Sequence, residues 1–348
     1  MIGAVEVDVT QMLNVTRRSV LAGASALLMT SGRAIAADAP AGITRLDPEL
    51  DTVIDVAARI ETIATGYRWA EGPVWVARGG YLLFSDVPAN TVHRWKEGEG
   101  ARPFLHPSGL SGPVPAGIRE AGANGLAIDG LGRLVMADSG TRAIARVDIA
   151  TRRKTILADR FAGKRFNSCN DVALARDGTI YFTDPPYGLA EGDASPLKEL
   201  GFNGVFRLRA TGEVDLIDRS LHRPNGIGLS PRGDRLYVAC SDEAAPEIRV
   251  YDLNKDRLPI GPGRRFVDFT SEFRRGLPGL PDGMKVARSG YLFASGPGGI
   301  YVIAPDGRKL GVIATGKAIA NCAFGEDGRT LFLTSSDSVA RVRLKVAG

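Results

Sequence analysis

Residues 166–189 read Phe166-Asn-Ser-Cys-Asn-Asp-Val-Ala-Leu-Ala-Arg-Asp-Gly-Thr-Ile-Tyr-Phe-Thr-Asp-Pro-Pro-Tyr-Gly-Leu189. They divide into a polar pair (Asn170-Asp171), a short apolar run, an Asp177-Gly178 turn, a second apolar run and a stop. Asp-Gly between two apolar runs predicts a hairpin, because both residues of its usual turn must tolerate positive φ. The Asp184-Pro-Pro tail ends the second strand, since proline has no N–H to give a ladder.

The chain repeats this unit. Copies open at Glu71-Gly-Pro-Val-Trp75, Asn124-Gly-Leu-Ala-Ile128, Asn170-Asp171, Asn225-Gly-Ile-Gly-Leu229, Asp282-Gly-Met-Lys-Val286 and Asn321-Cys-Ala-Phe324. Their first residues stand 53, 46, 55, 57 and 39 positions apart. A period near ~45 residues with several short strands per unit is the signature of a propeller. No helical periodicity intervenes, which disfavours βαβ units. Third strands are expected at Thr91–Trp95, Ala143–Asp148, Gly204–Leu208 and Glu247–Tyr251. The expected fold is all-β, a six-bladed β-propeller over residues 59–348. Ring closure is expected in the last blade, with Val339–Val346 as third strand and Arg59–Ile63 as fourth. The Gly/Pro-rich inserts Gly109–Gly122, Tyr187–Asn203 and Leu258–Leu280 exceed what hairpins need and are expected to grip a ligand.

Composition narrows the function. The 348 residues carry a formal charge of +5, with 44% apolar and 24% charged residues. The 43 glycines exceed the usual ~7% and suit many turns. Lys and Arg are scattered, without the basic cluster and stacking aromatics of a nucleic-acid surface. Cys169, Cys240 and Cys322 lack CxxC spacing, so they read as buried apolar fillers rather than a zinc-thiolate site. The Thr16-Arg17-Arg18-Ser19 stretch, the apolar Val20–Met29 run and Ala34-Ile-Ala-Ala37 describe a twin-arginine export signal over 1–37. Residues 38–58 follow as an N-terminal extension. The apolar run is too short for a bilayer, which takes ~20 residues, so the mature chain is expected without a membrane segment. It would be exported by the twin-arginine machinery to the periplasm or beyond.

In a propeller the first strand of each blade lines the channel. Glu71, Asn124, Asn170, Asn225, Asp282 and Asn321 therefore converge at one mouth. Such hard oxygen donors suit Ca²⁺ or Mg²⁺ rather than a thiolate-seeking metal. Asn-Gly and Asp-Gly also serve as ordinary turn residues, but turn chemistry alone would not demand Glu-Gly-Pro in the first copy.

At Glu71-Gly-Pro-Val-Trp75, Asn170-Asp171, Phe182-Thr-Asp-Pro-Pro-Tyr-Gly188, Pro224-Asn-Gly226 and Pro281-Asp-Gly-Met284 the sequence resembles the SMP-30/gluconolactonase/regucalcin-like family of six-bladed propellers. That resemblance implies one divalent cation, Ca²⁺ first with Mg²⁺, Zn²⁺ or Mn²⁺ as alternatives, held by Glu71, Asn225 and Asp282. Asn170 would approach metal or substrate, with Asn124 beside it to orient ring hydroxyls. It implies hydrolysis of a sugar lactone to its aldonic acid, with Asp282 as general base. A substrate-binding Arg two residues before Asn170 is replaced here by Ser168; Arg165, three residues earlier, is then the candidate substrate-binding arginine. No G-x-S-x-G elbow calls for a covalent nucleophile. Two other readings are a paraoxonase-type arylesterase or organophosphate hydrolase, with His222 as base, and a non-catalytic propeller binding Ca²⁺, a sugar or a protein.

Overall fold

The computed structural model describes residues 40–348, and the export segment read at 1–37 lies outside them. Six antiparallel sheets form six blades in a ring. Their inner strands are Ala70–Val76, Ala123–Ile128, Val172–Leu174, Pro224–Leu229, Met284–Val286 and Asn321–Gly325. The expected third strands form at Thr91–Lys96, Ala143–Val147, Gly204–Leu208 and Glu247–Asp252. No helix among the described residues is long and apolar enough to cross a membrane.

The second strands read as apolar runs because both of their faces are covered. In blade I, Leu82 and Phe84 pack toward Phe332 and Val339 of blade VI, whereas Leu83 packs toward Leu126 and Met136 of blade II. The apolar interior is thus six wedges between neighbouring blades. Each large side chain buried in a wedge contributes about 1.5–3 kcal/mol.

Closure follows the expected route: Glu61–Thr65 pairs antiparallel with Ser338–Arg343, giving blade VI strands from both ends of the domain. Trp75 stacks on Phe332 at 5.4 Å across this seam. Three expectations needed revision. Residues 38–58 do not merely precede the ring: Gly42–Arg45 adds a fifth strand to blade V, and Leu50, Val53 and Ile54 enter its core. Leu258–Leu280 is not a plain loop, since it holds the outer strand Arg264–Asp268 and the short helix Thr270–Arg274. In the Asp177-Gly178 turn only Gly178 has positive φ (86°). The connection spans Ala175 to Thr179, whose backbones pair at 2.8 Å. This longer loop needs one left-handed residue rather than two.

Candidate active site

Every inner strand starts at the same mouth of the channel, which sets its first polar residue there. The ladder slips between Glu71 and Val74, Ala123 and Leu126, and Pro224 and Ile227. Such bulges re-aim a side chain. The glycine after the polar residue has a packing cause. A Cβ on Gly72, itself at φ +48°, would sit 1.9 Å from the Asn124 carbonyl oxygen, and one on Gly226 would sit 2.0 Å from that of Asp282. Each glycine thus admits the next blade's ring residue. Hydroxyls at the ends of second strands fix the same junctions. Ser85 donates to the Asn124 carbonyl (2.8 Å), Ser139 to Cys169 (2.9 Å), Thr183 to Asn225 (2.6 Å) and Ser241 to Pro281 (2.6 Å).

Glu71 is only 3% exposed. Its Oε2 accepts from the Gly72 N–H (2.7 Å) and from Asn321 Nδ2 (3.4 Å). Burial, and then the charge of Asp171, push its pKa up to about 7, against the pull of Gly72, Asn321 and Lys285. Asp282 is half-buried as a residue. Burial and the charges of Glu71, Asp171 and Glu120 hold its carboxyl well above the usual range. Asn225 presents the third oxygen. Ser241 spends its proton on the Pro281 carbonyl, so it must accept from Asn225 Nδ2 (2.8 Å). That fixes the amide orientation. It leaves Asn225 Oδ1 buried with no partner among the described residues, although buried acceptors are normally satisfied. Asn124 and Asn170 are also buried at the mouth.

The sixth ring residue departs from the expected convergence. Asn321 Oδ1 accepts from Cys322 N–H (2.9 Å) and Lys285 Nζ (3.3 Å), while its Nδ2 faces Glu71. It is a strut, with no oxygen left over. The Arg165 guanidinium donates to the Thr141 carbonyl (2.7 Å), and among the described residues no hydrogen bond joins it to a ring side chain. His222 is exposed, 3.2 Å from Asp242, beside a surface cavity of about 540 Å³ lined also by Asp193, Lys198 and Arg219. The three thiols are buried, and burial pushes each up.

Four side chains at or near the mouth escaped the sequence reading. Asp171 accepts from the Val172 N–H (2.9 Å) and the Ile227 N–H (3.3 Å), and burial raises its pKa while Lys285 opposes. Both residues leave a signal in the repeat. Asp171 stands where other copies have Gly72, Gly125, Gly226, Gly283 and Cys322. Lys285 stands where they have Val74, Ala127, Ala173, Gly228 and Phe324. Two opposite charges in otherwise uncharged columns mark a pair. Glu120 and Tyr187 come from the inserts, outside any repeat.

The donor set fits a hard cation. Burial raises the carboxyls of Glu71, Asp171, Asp282 and Glu120, Lys285 offsets only Glu71 and Asp171, Arg119 only Glu120, and Asn225 Oδ1 is left without a donor. Among the described residues no three His, Cys, Asp or Glu side chains form a metal-holding group by themselves, so the amide is needed to complete the set. Glu71, Asn225 and Asp282 would hold the ion, with Asn170 adjoining.

Comparison with known proteins agrees with this architecture. The chain is 50% identical over 311 residues to a gluconolactonase of Zymomonas mobilis, covering 88% of this chain and 87% of the relative. It is 25% identical over 293 residues to a diisopropyl-fluorophosphatase of Loligo vulgaris, covering 78% and 87%. Among solved structures, a gluconolactonase of Xanthomonas campestris superposes with a TM-score of 0.75 at 32% identity, covering 88% of this chain and 96% of that one. Residues 69–337 match the family described as the SMP-30/Gluconolactonase/LRE-like region. The chain belongs to the SMP-30/gluconolactonase/LRE-like family.

Proposed function

We propose that the channel mouth opens sugar lactones to aldonic acids with the help of one divalent cation, Ca²⁺ first. The observation that carries this reading is the buried, unpartnered Asn225 Oδ1 on the same ring of strand starts as Glu71 and Asp282, whose carboxyls are close enough for the Glu71 charge to raise that of Asp282. The gluconolactonase relatives supply the substrate class. When bound, the cation supplies Lewis-acid polarisation of the lactone carbonyl and charge against the developing oxyanion.

The chain's own residues do the rest. Asp282 has a carboxyl made more basic by its surroundings, as a general base near neutral pH requires. It takes a proton from the water that attacks the carbonyl carbon. The ring C–O bond then breaks, and the ring oxygen takes that proton back from Asp282 as it leaves as the hydroxyl of the aldonic acid. Asn124 and Asn170 offer amides that both donate and accept, suited to ring hydroxyls. Ser241 keeps Asn225 Oδ1 aimed inward.

The test is hydrolysis of D-glucono-1,5-lactone by chelator-stripped protein given Ca²⁺, Mg²⁺, Zn²⁺ or Mn²⁺ in turn. Acid release restored by a cation supports the reading; release no faster than the spontaneous rate with every ion sinks it. The match to a fluorophosphatase favours a second reading, organophosphate or aryl-ester hydrolysis at the same mouth. Turnover of diisopropyl fluorophosphate or phenyl acetate without lactone turnover would put it first. We also propose that residues 1–37 direct twin-arginine export to the periplasm or beyond, on the strength of Arg17-Arg18 and the apolar run after it. An Arg17→Lys/Arg18→Lys variant that still reached the periplasm would refute this.

A further inference from the structure

Two inserts meet over the mouth. Residues 109–122 join the outer strand of blade I to the inner strand of blade II, and residues 187–203 join the second and third strands of blade III. They pair through an Ile118–Leu189 bridge, an Arg119 N–H to Gly188 carbonyl bond (2.8 Å) and an Ala190 N–H to Gly117 carbonyl bond (2.9 Å). The Arg119 guanidinium also donates to the Tyr187 carbonyl. Gly188 is anchored in turn by the Ser168 hydroxyl (2.8 Å), two residues before Asn170.

This clip delivers two side chains that the proposed chemistry does not use. Glu120 Oε1 lies 3.7 Å from Arg119, but Glu120 Oε2 is buried without a partner among the described residues. The Tyr187 hydroxyl is likewise buried with no hydrogen bond of good geometry among the described residues, the Ser241 side chain being its polar neighbour. The charge of Glu120 reaches Asp282, and Tyr187 feels that of Asp282. Of nine buried side-chain polar atoms left without partners among the described residues, three belong to this group: Glu120 Oε2, Tyr187 Oη and Asn225 Oδ1. Leaving a buried polar atom unpaired costs about 1–3 kcal/mol, so a pair held this way calls for a ligand that supplies what is missing.

We propose that Glu120 and Tyr187 are the wall that recognises the hydroxyl groups of a polyhydroxylated lactone. The inference rests on the lactone reading above and narrows its substrate class. An unprotonated carboxyl oxygen only accepts, so Glu120 Oε2 accepts a hydrogen bond from a ring hydroxyl. A phenol both donates and accepts, so Tyr187 meets a second hydroxyl or the same one from its other side. A lactone without hydroxyls would bury both atoms unpaired, and a site built for hydroxyls rejects such analogues strongly.

The experiment compares kcat/KM for D-glucono-1,5-lactone and for δ-valerolactone, which lacks hydroxyls, in the wild type, Glu120→Gln and Tyr187→Phe. Ca²⁺ affinity is measured by calorimetry on each. The expected result is a fall in the glucono-to-valero ratio of about 10- to 100-fold in Glu120→Gln and about 3- to 10-fold in Tyr187→Phe, expressed mainly in KM. Ca²⁺ affinity should be unchanged. An unchanged ratio in both variants, or an equal loss on both lactones, overturns the inference. A drop of about tenfold or more in Ca²⁺ affinity in Glu120→Gln overturns it by making Glu120 a cation ligand. A wild type that opens neither lactone removes the hydrolase reading, and this inference with it.

Discussion

The mouth of the channel and the level one step below it are built from the same repeat, yet they are satisfied differently. Below the mouth, Asp171 is held by two backbone N–H groups, and Asn321 bridges Lys285 and Glu71 with both ends of its amide. At the mouth, Asn225 Oδ1 has no partner and Asp282 faces three other carboxylates. A polar group closed by protein partners holds blades together. One left open at an enclosed position is waiting for something from solution. The lower level therefore supports the structure, and the upper level is where we propose the chemistry takes place.

Breaking the upper level should give the largest effect. Asp282→Ala is expected to lower kcat on D-glucono-1,5-lactone by about 10³-fold or more, since a general base alone contributes 10²–10⁴ and a cation ligand goes with it. Thermal unfolding and circular dichroism should still report a folded propeller. Activity near wild type in this variant would end the mechanism.

The next effect comes from pH and the cation together. Glu71 has a folded pKa of about 7 against an ordinary 4.5, so between those values the native state keeps a proton that the unfolded chain has lost. Asp282 and Asp171 are shifted in the same direction. Their contribution therefore makes cation-free protein lose stability as pH rises from about 4.5 to about 7. A bound cation favours the ionised carboxylates and cancels that loss. The stabilisation by Ca²⁺ over chelator should widen across this window, reaching about 2.7 kcal/mol at pH 7 with the ion at a hundredfold over its Kd, read as a rise in Tm. A gain independent of pH would separate the cation from these carboxylates.

The lower level is tested by Lys285→Met. Loss of the ammonium leaves Asp171 uncompensated and Asn321 Oδ1 short of a donor, which should destabilise by about 1–3 kcal/mol in urea unfolding. Adding Asp171→Asn should recover part of that loss, a coupling that a double-mutant cycle reads directly. Strict additivity would show that the two charges do not sense each other.

How far the sequence reaches divides along similar lines. The inner-strand columns, the third strands and the closing strand repeat, so their spacing is legible. Glu71, Asn124, Asn170, Asn225 and Asp282 stand in one column for that reason. The repeat pointed to Asn321 as well, but its amide is turned by Lys285, a neighbour on the adjacent blade that column counting does not see. Gly42–Arg45 and Leu50 were read as an extension because a fifth strand has no counterpart in other blades. Glu120 and Tyr187 were invisible because their positions depend on two loops pairing with each other. Arg165 was placed at the substrate by its closeness in sequence to Asn170, whereas the Thr141 carbonyl holds its guanidinium.

The finest distinction between the levels is Ser241, which belongs to both. Its proton goes to Pro281 at the next blade junction, and its lone pair receives Asn225 Nδ2. It is thus a structural latch that also aims a site residue. Ser241→Ala removes both bonds. If latching were its whole role, only stability would fall, by about 1 kcal/mol. If it aims Asn225, the freed amide can turn, and Ca²⁺ affinity should fall by about fivefold as well, the equivalent of one lost hydrogen bond. Ser85→Ala is the control, because Ser85 latches the Asn124 carbonyl (2.8 Å) and its hydroxyl has no hydrogen bond to a side chain of the proposed cation set. Similar losses of stability in both variants, with weaker Ca²⁺ binding in Ser241→Ala alone, would show that one hydroxyl serves both levels. Equal Ca²⁺ affinity in the two would confine Ser241 to the blade junction.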